Sequence, residues 1–168
     1  MALAVKPLSQ QLQCELLGPR CRVRVPPLPF GLAVAVTAFT RSWFSLSVPS
    51  EPEHGRCVEW LASNREPLLT TDYIIDEVLT LMRMRREARR ARRLGQQLLA
   101  GRIATIEWVL QVDVFRAWQV YQDFEDKNWS FTDCVSRVVM ERLGIQTAFA
   151  LDDDFRQFGT VVVVPNRS

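Results

Sequence analysis

Short apolar runs alternate with helix-like stretches over most of the chain, and this alternation restricts the possible folds more than any other feature. The strand-like runs lie at residues 32–39, 68–70, 103–109, 145–151 and 160–164. Strands separated by helices usually pair in parallel, because a parallel crossover needs a dozen or more residues. The pattern therefore predicts an α/β fold with a mostly parallel central sheet and helices on both of its faces.

Helix-start and helix-stop signals separate these strands. Ser50 and Glu53 have the spacing of a capping box, which predicts a helix through residues 57–61. Gly144 is expected to end the last long helix, since glycine is the preferred residue just past a helix C-terminus. Further helix N-caps are predicted at Thr71 or Asp72, at Asp113 and at Ser130.

Two of the predicted helices have a clear apolar stripe. Ile74, Val78 and Leu81 repeat at helical spacing and should face the core. After Asp113, the same spacing predicts that Phe115, Trp118 and Tyr121 are buried.

The chain of 168 residues is long enough for one domain with a sizeable core. Residues 1–30 show no sustained period and contain several prolines, so we expect an irregular N-terminal extension there. Residues 31–168 are then expected to form a single folded domain.

Positive charge is concentrated in one segment although the net charge is only +2. Residues 83–93 hold seven arginines, and Glu87 is the only acid among them. Most of these side chains are interpreted as a solvated helix face, while one or two could contact phosphates or an acidic partner. We call this segment the arginine array: Arg83, Arg85, Arg86, Arg89, Arg90, Arg92 and Arg93.

The cysteines and the N-terminal apolar run bear on location. The four cysteines lack close C-x-x-C spacing and His54 is the only histidine, which disfavours zinc and indicates free thiols in a reducing compartment. The apolar run at residues 28–39 is shorter than the roughly 20 residues that span a bilayer. The prolines and the long polar leader before it argue against a secretory signal, so a cytoplasmic location is expected.

Glu77 is the first of three acids whose positions indicate chemistry. It lies three residues after Ile74 and four before Leu81, so its carboxylate shares the core-facing stripe of a helix. A carboxylate withdrawn from water costs several kcal/mol unless it is paired or bound to a metal. A salt bridge to an arginine would satisfy Glu77 as well as a metal would.

The second and third acids also stand at helix and strand ends. Asp133 follows Ser130 by three residues and could simply complete a capping box, but Ser130 and Thr132 also bring hydroxyl groups that can orient a metal-binding carboxylate. Asp152 closes an apolar strand, and ligands of open α/β sheets bind beyond the carboxyl ends of strands. Asp154 is the second choice there, and one of these neighbouring acids is expected only to cap a short helix.

Three carboxylates favour a hard divalent cation, Mg²⁺ or Mn²⁺, which prefers oxygen ligands. A water activated by that metal would then be the nucleophile. Serine-triad and cysteine–histidine catalysis are disfavoured, because His54 falls in a Pro-Glu-His-Gly turn that is expected to be exposed.

The segments that contain these acids resemble those of the PIN-domain ribonucleases, most closely the VapC-type toxins of bacterial toxin–antitoxin pairs. The similarity runs from about Trp43 to Pro165. It includes the segments 48–54, 65–73, Glu77 with 79–81, 129–134 and 148–159, in the family's order.

The resemblance implies a PIN-like α/β/α sandwich and a metal-dependent endoribonuclease. It also implies a homodimer that is held inactive by an antitoxin protein. Glu77, Asp133 and Asp152 match acidic positions of the family, Asp154 lies near a further one, and Ser130 and Thr132 match its small hydroxyl residues.

One family position is not matched. The family's first acid ends the first strand, and counting back from Trp43 places Phe39 there. Phenylalanine cannot bind a metal, so metal binding is expected to be weakened. The chain is then either a degenerate relative or one whose residues 1–41 come from a different reading frame than the ancestor's. A module that binds a partner peptide or RNA without cutting is the alternative function.

Overall fold

A central parallel sheet of five strands forms the middle layer of the molecule, which we describe from a computed structural model. The structure describes residues 35–158 and 161–165, and at residues 153, 154 and 158 the backbone only. The strands are β1 (Val36–Ala38), β2 (Leu68–Thr71), β3 (Thr105–Glu107), β4 (Thr147–Phe149) and β5 (Val162–Val164). All four strand pairings are parallel, and the spatial order is β3-β2-β1-β4-β5.

Helices connect these strands, which confirms the predicted α/β class with a mostly parallel sheet. A short 3₁₀ helix, Asp153–Phe158, lies between β4 and β5. The α-helices are α1 (Thr40–Ser47), α2 (His54–Ser63), α3 (Asp72–Met84), α4 (Ala88–Leu99), α5 (Gln111–Asp123) and α6 (Phe131–Leu143).

Several predicted helix ends are confirmed. The Thr71 side chain accepts a hydrogen bond from the backbone N–H of Ile74 at the start of α3. Ser130 caps α6, and Gly144 ends it with a φ of +68°, a conformation that glycine adopts without steric cost.

Two predicted helix starts are wrong, and one helix was missed. Asp113 is not the N-cap of α5, which begins at Gln111; Asp113 lies in its first turn and accepts a hydrogen bond from the backbone N–H of Leu110. Helix α2 begins at His54 rather than near Ser50, because Glu53 makes no capping hydrogen bond and instead pairs with Arg56 at 3.0 Å. Helix α1 was not predicted at all, since its eight residues are too few to show a period against the preceding strand.

The predicted burial of α5 is also wrong. Phe115 is 64% exposed, Trp118 50% and Tyr121 43%, whereas Asp113 and Ala117 are buried. The aromatic residues do repeat at helical spacing and share one side of α5, but that side faces the surface rather than the core. We call the exposed side chains Trp108, Phe115, Trp118 and Tyr121 the aromatic face.

Helices α3 and α4 form an antiparallel hairpin that carries the arginine array at its turn. Gly95 of α4 lies against Leu79 of α3, where an added Cβ would meet the leucine side chain at 3.3 Å. Arg86 makes the turn with a φ of +64°. The small residues on the inner side of α4 thus let the two helices approach closely.

Some expectations concern residues outside the described part of the chain. The predicted irregular extension at residues 1–30, the first residues of the run at 32–39 and two of the cysteines, Cys14 and Cys21, lie there. Within the described residues, the structure contains no helix with the length and apolar character needed to cross a membrane.

Candidate active site

The three predicted acids lie around the edge of the sheet where the parallel strands end. Helix α3, which holds Glu77, begins directly after β2, and Asp152 follows β4 by three residues. Asp133 is in the first turn of α6. Each of the other two carboxylates raises the pKa of Asp133, so the three share one electrostatic environment.

Glu77 is held by a neighbour from the first helix. The hydroxyl of Thr40 donates a hydrogen bond of 2.6 Å to Oε2 of Glu77, and the pair is partly buried. Thr40 is the first residue of α1, which begins where β1 ends. The contact therefore joins the ends of β1 and β2 at the same edge.

Asp133 forms a complete capping box with Ser130. Its Oδ2 accepts hydrogen bonds of 2.8 Å from both the backbone N–H and the hydroxyl of Ser130, while its own N–H donates to Ser130 Oγ at 3.1 Å. Burial, reinforced by repulsion from Glu77 and Asp152, raises the pKa of Asp133 from 3.8 to about 6 despite these hydrogen bonds. An acid with a pKa in this range carries its charge at a cost, as functional carboxylates often do.

Asp152 pairs with a cation from α1. Arg41 Nη1 lies 3.2 Å from Asp152 Oδ1, and both side chains are partly exposed. Asp154, the second choice for this part of the site, has its side chain outside the described atoms, so its role stays a prediction.

Phe39 directly follows β1 and precedes Thr40 and Arg41. Its side chain is only 3% exposed, and its ring centroid is 3.9 Å from that of Phe155 in the 3₁₀ helix. Its backbone N–H donates to the carbonyl of Phe149 at 3.1 Å, which ties the end of β1 to that of β4. An apolar ring therefore occupies the strand end that is flanked by Thr40 and Arg41.

The donor set suits a hard divalent cation in its chemistry. It consists of oxygen atoms, and the mutual repulsion that acts on Asp133 is one that a cation would relieve. Among the described side chains, however, no three Asp, Glu, His or Cys residues are close enough together to hold a metal as they stand. The ion pair between Arg41 and Asp152 is consistent with this spacing.

Other catalytic groups are unsuitable. Burial raises the pKa of Cys57 to about 12 and that of Cys134 to about 11, so neither thiol ionises readily near neutral pH. His54 lies at the start of α2, and its Nδ1 is 2.7 Å from the carbonyl oxygen of Ser45. The two thiols are buried and the histidine ring contacts the backbone, so none of the three side chains is placed to act as a catalytic group.

The contacts of Thr40 with Glu77 and of Arg41 with Asp152 were not predicted from the sequence. The position of Thr40 and Arg41 could have indicated a role, because both residues follow a buried strand closely and therefore lie at its carboxyl end, where ligands of parallel sheets bind. The Thr132 hydroxyl was expected to orient Asp133. In the described structure the hydrogen bond of Thr132 is instead made by its backbone carbonyl, which accepts from the hydroxyl of Ser136. Ser130 alone makes the predicted contact.

Comparison with known proteins identifies the family. The PIN domain family matches residues 41–161, which is most of the chain and includes Glu77, Asp133 and Asp152. The chain therefore belongs to the PIN domain family.

Two curated relatives are the 23S rRNA-specific endonuclease VapC20 from two strains of Mycobacterium tuberculosis. Each is 29% identical over 126 residues, which cover 75% of this chain and 95% of the relative. A crystal structure of M. tuberculosis VapC20, a Sarcin-Ricin loop cleaving toxin, superposes with a TM-score of 0.71 at 27% identity. The superposed region covers 75% of this chain and 96% of the VapC20 chain. This match confirms the predicted PIN-like fold.

Proposed function

We propose that the chain is a metal-dependent endoribonuclease and the toxin component of a toxin–antitoxin pair, with Mg²⁺ or Mn²⁺ as its cofactor. The proposal rests on the position of Glu77, Asp133 and Asp152 around one edge of the sheet, where the charges of Glu77 and Asp152 raise the pKa of Asp133. Similarity to an rRNA endonuclease supports RNA as the substrate.

The contacts of each residue indicate whether it would bind the metal, orient a ligand or contact the substrate. Glu77, Asp133 and Asp152 supply the ligand oxygens, with Asp154 as a further candidate. Thr40 orients Glu77, and Ser130 orients Asp133. A bound divalent cation would activate water and offset negative charge at the phosphate. Release of Arg41 from Asp152 would make Oδ1 of that carboxylate available to the metal and would let the guanidinium face a substrate phosphate. Arg156 is another candidate for phosphate contact.

Cleavage of RNA should depend on divalent metal and on Glu77. We expect a chelator to abolish cleavage of ribosomal RNA, and Glu77→Gln to slow it by about a hundredfold or more, because a ligand charge is lost. The rate is measured as the appearance of new RNA ends at saturating Mn²⁺. Glu59→Gln, an exposed acid on α2, is the matched control and should leave the rate unchanged. Cleavage that persists in the chelator would refute the mechanism.

We infer that Phe39 stands where the family has its first acid and that it weakens metal binding. Phe39→Asp should raise the affinity for Mn²⁺ by about tenfold, because a fourth carboxylate joins the site. Calorimetric titration measures this. Without metal the variant should melt at a lower temperature than the parent, since a buried ring is replaced by a charge.

Phe39→Asn is the control for this substitution. It removes the same ring and has nearly the same shape as aspartate, but it adds no charge. We expect it to lose stability without gaining Mn²⁺ affinity. Equal affinities for Phe39→Asp and the parent chain would show that the missing acid has no influence. A chain that never cuts yet binds its partner would instead be a non-catalytic module.

We propose that the chain forms a homodimer through the aromatic face. These side chains are 43% to 64% exposed, and exposed apolar patches of this kind usually mark an interaction surface. The rings of Trp118 and Tyr121 already stack at 5.7 Å, which gives a flat, preformed surface that a second copy can match by twofold symmetry. Trp118→Arg should convert the dimer to a monomer in sedimentation experiments. Leu99→Arg is the control, because Leu99 is also exposed (62%, against 50% for Trp118) but lies on α4, and it should leave the chain dimeric.

The remaining partners follow from the proposed role. An antitoxin protein would keep the nuclease inactive. We propose a cytoplasmic location because the proposed substrate, RNA, is found there. Cys57 and Cys134, the free cysteines of the described part, are in keeping with a reducing compartment. Co-purification with a protein encoded next to it would test the pairing.

A further inference from the structure

The charge of this chain is unevenly distributed, because the arginine array is strongly positive and the remaining residues are negative. Seven arginines and one glutamate give residues 83–93 a charge of +6, whereas the whole chain is +2, so the other residues carry −4. All seven arginines are exposed. A concentrated positive surface on an otherwise negative chain directs polyanions to that surface.

The hairpin holds these charges in a defined arrangement. On α4 the inner side consists of Ala91, Leu94 and Leu98, which are buried, so the arginines between them point outward. Arg90 is paired with Glu87. The described residues offer no such ion pair to Arg89 or Arg93, which lie one turn apart, about 6 Å along the helix. The outer side of α4 thus presents Arg89 and Arg93, one turn apart, for contact with a ligand.

We propose that the arginine array binds the phosphate backbone of double-helical RNA next to the site that is cut. This inference rests on the proposed ribonuclease function and adds how the substrate is held. Double-stranded RNA is recognised mostly through shape and through its phosphates and 2′-hydroxyls, and arginine suits phosphate contacts. Arg85 is eight residues after Glu77, or about 12 Å along a helix, so an RNA in the active site can reach the array.

The composition of the hairpin favours duplex RNA over the alternatives. Single-stranded RNA is usually bound by stacking its bases on aromatic side chains, but no aromatic residue occurs between Tyr73 and Trp108. A protein partner needs apolar or aromatic anchors, and within the array the one exposed apolar side chain is Met84. Repeated arginines without such anchors match a regular backbone of phosphates.

Binding to an RNA duplex of about 16 base pairs, in a chelating buffer that prevents cleavage, tests the proposal. The full chain is compared with Arg89→Gln/Arg93→Gln by fluorescence anisotropy over a salt series. Glutamine keeps the helix propensity, so the fold should persist. We expect about tenfold weaker binding and a salt slope reduced by about two, because two phosphate contacts are lost.

Arg65→Gln/Arg102→Gln is the matched control, since both arginines are exposed and lie outside the array. Equal losses in the two double variants would overturn the proposal. So would an equal loss for single-stranded oligouridine, or tight binding of a polyglutamate peptide through the array. A chain that binds the duplex through the array but never cuts RNA would refute only the proposed function. Unaltered duplex binding by the array variant of an active ribonuclease would refute only this inference.

Discussion

Asp133→Asn is expected to abolish RNA cleavage and, at the same time, to stabilise the folded chain at neutral pH. Burial and the repulsion of Glu77 and Asp152 raise the pKa of Asp133 from 3.8 to about 6. Between these values the folded chain binds more protons than the unfolded chain, so stability falls as the pH rises through this window. Above it, the charged carboxylate carries the full penalty. Asparagine carries no charge and avoids that penalty.

The expected gain is about 1–3 kcal/mol at pH 7, where the lower part of the range allows for partial solvent screening. Asparagine can still accept the hydrogen bonds from Ser130, so the helix cap is kept. Urea unfolding measured across a pH series should give a flatter profile between about pH 4 and 6 for the variant.

Asp126→Asn is the control for this prediction, because that carboxylate is 71% exposed. It should alter neither the pH profile nor the rate of cleavage. An Asp133→Asn variant that is less stable than the parent at pH 7, or that still cuts RNA, would contradict the prediction. The combined loss of activity and gain of stability would be typical of a residue held at a cost for function.

The sequence predicts the edge of the sheet around which the three acids lie. Asp152 follows β4 by three residues, and Asp133 is in the first turn of α6, the helix that leads into β4. In a parallel sheet these two kinds of position fall at the same edge, so local signals are enough to bring distant residues together. Caps such as Ser130 are predictable for the same reason, since their partners lie three residues away.

The remaining contacts could not be predicted, because they depend on which elements pack together. The ion pair of Arg41 with Asp152 spans 111 positions in the sequence, and neither neighbourhood indicates the other. The aromatic face illustrates the same limit. A helical period shows that Phe115 and Trp118 share a side of α5, but it does not show whether this chain or another molecule covers that side.

A buried ion pair far from the site has the second large expected effect. Asp113 is fully buried in α5, and both of its oxygens accept hydrogen bonds from Arg142, at 3.0 and 2.9 Å. Arg142 also pairs with Glu107 of β3 at 2.9 Å. Burial lowers the pKa of Arg142, but these hydrogen bonds outweigh that effect and raise it. The pair thus joins α5, α6 and the sheet.

Arg142→Met should destabilise the chain by about 3–5 kcal/mol, because it leaves the Asp113 carboxylate buried without a cation. Thermal and urea unfolding measure the loss. Glu107→Gln, which removes the more exposed partner, should cost less than about 1 kcal/mol. Asp113→Asn combined with Arg142→Met should recover part of the stability, since no buried charge then remains. If the double variant were as unstable as the sum of its single variants, the two side chains would not be coupled, and the stability of α5 would come from its apolar contacts instead.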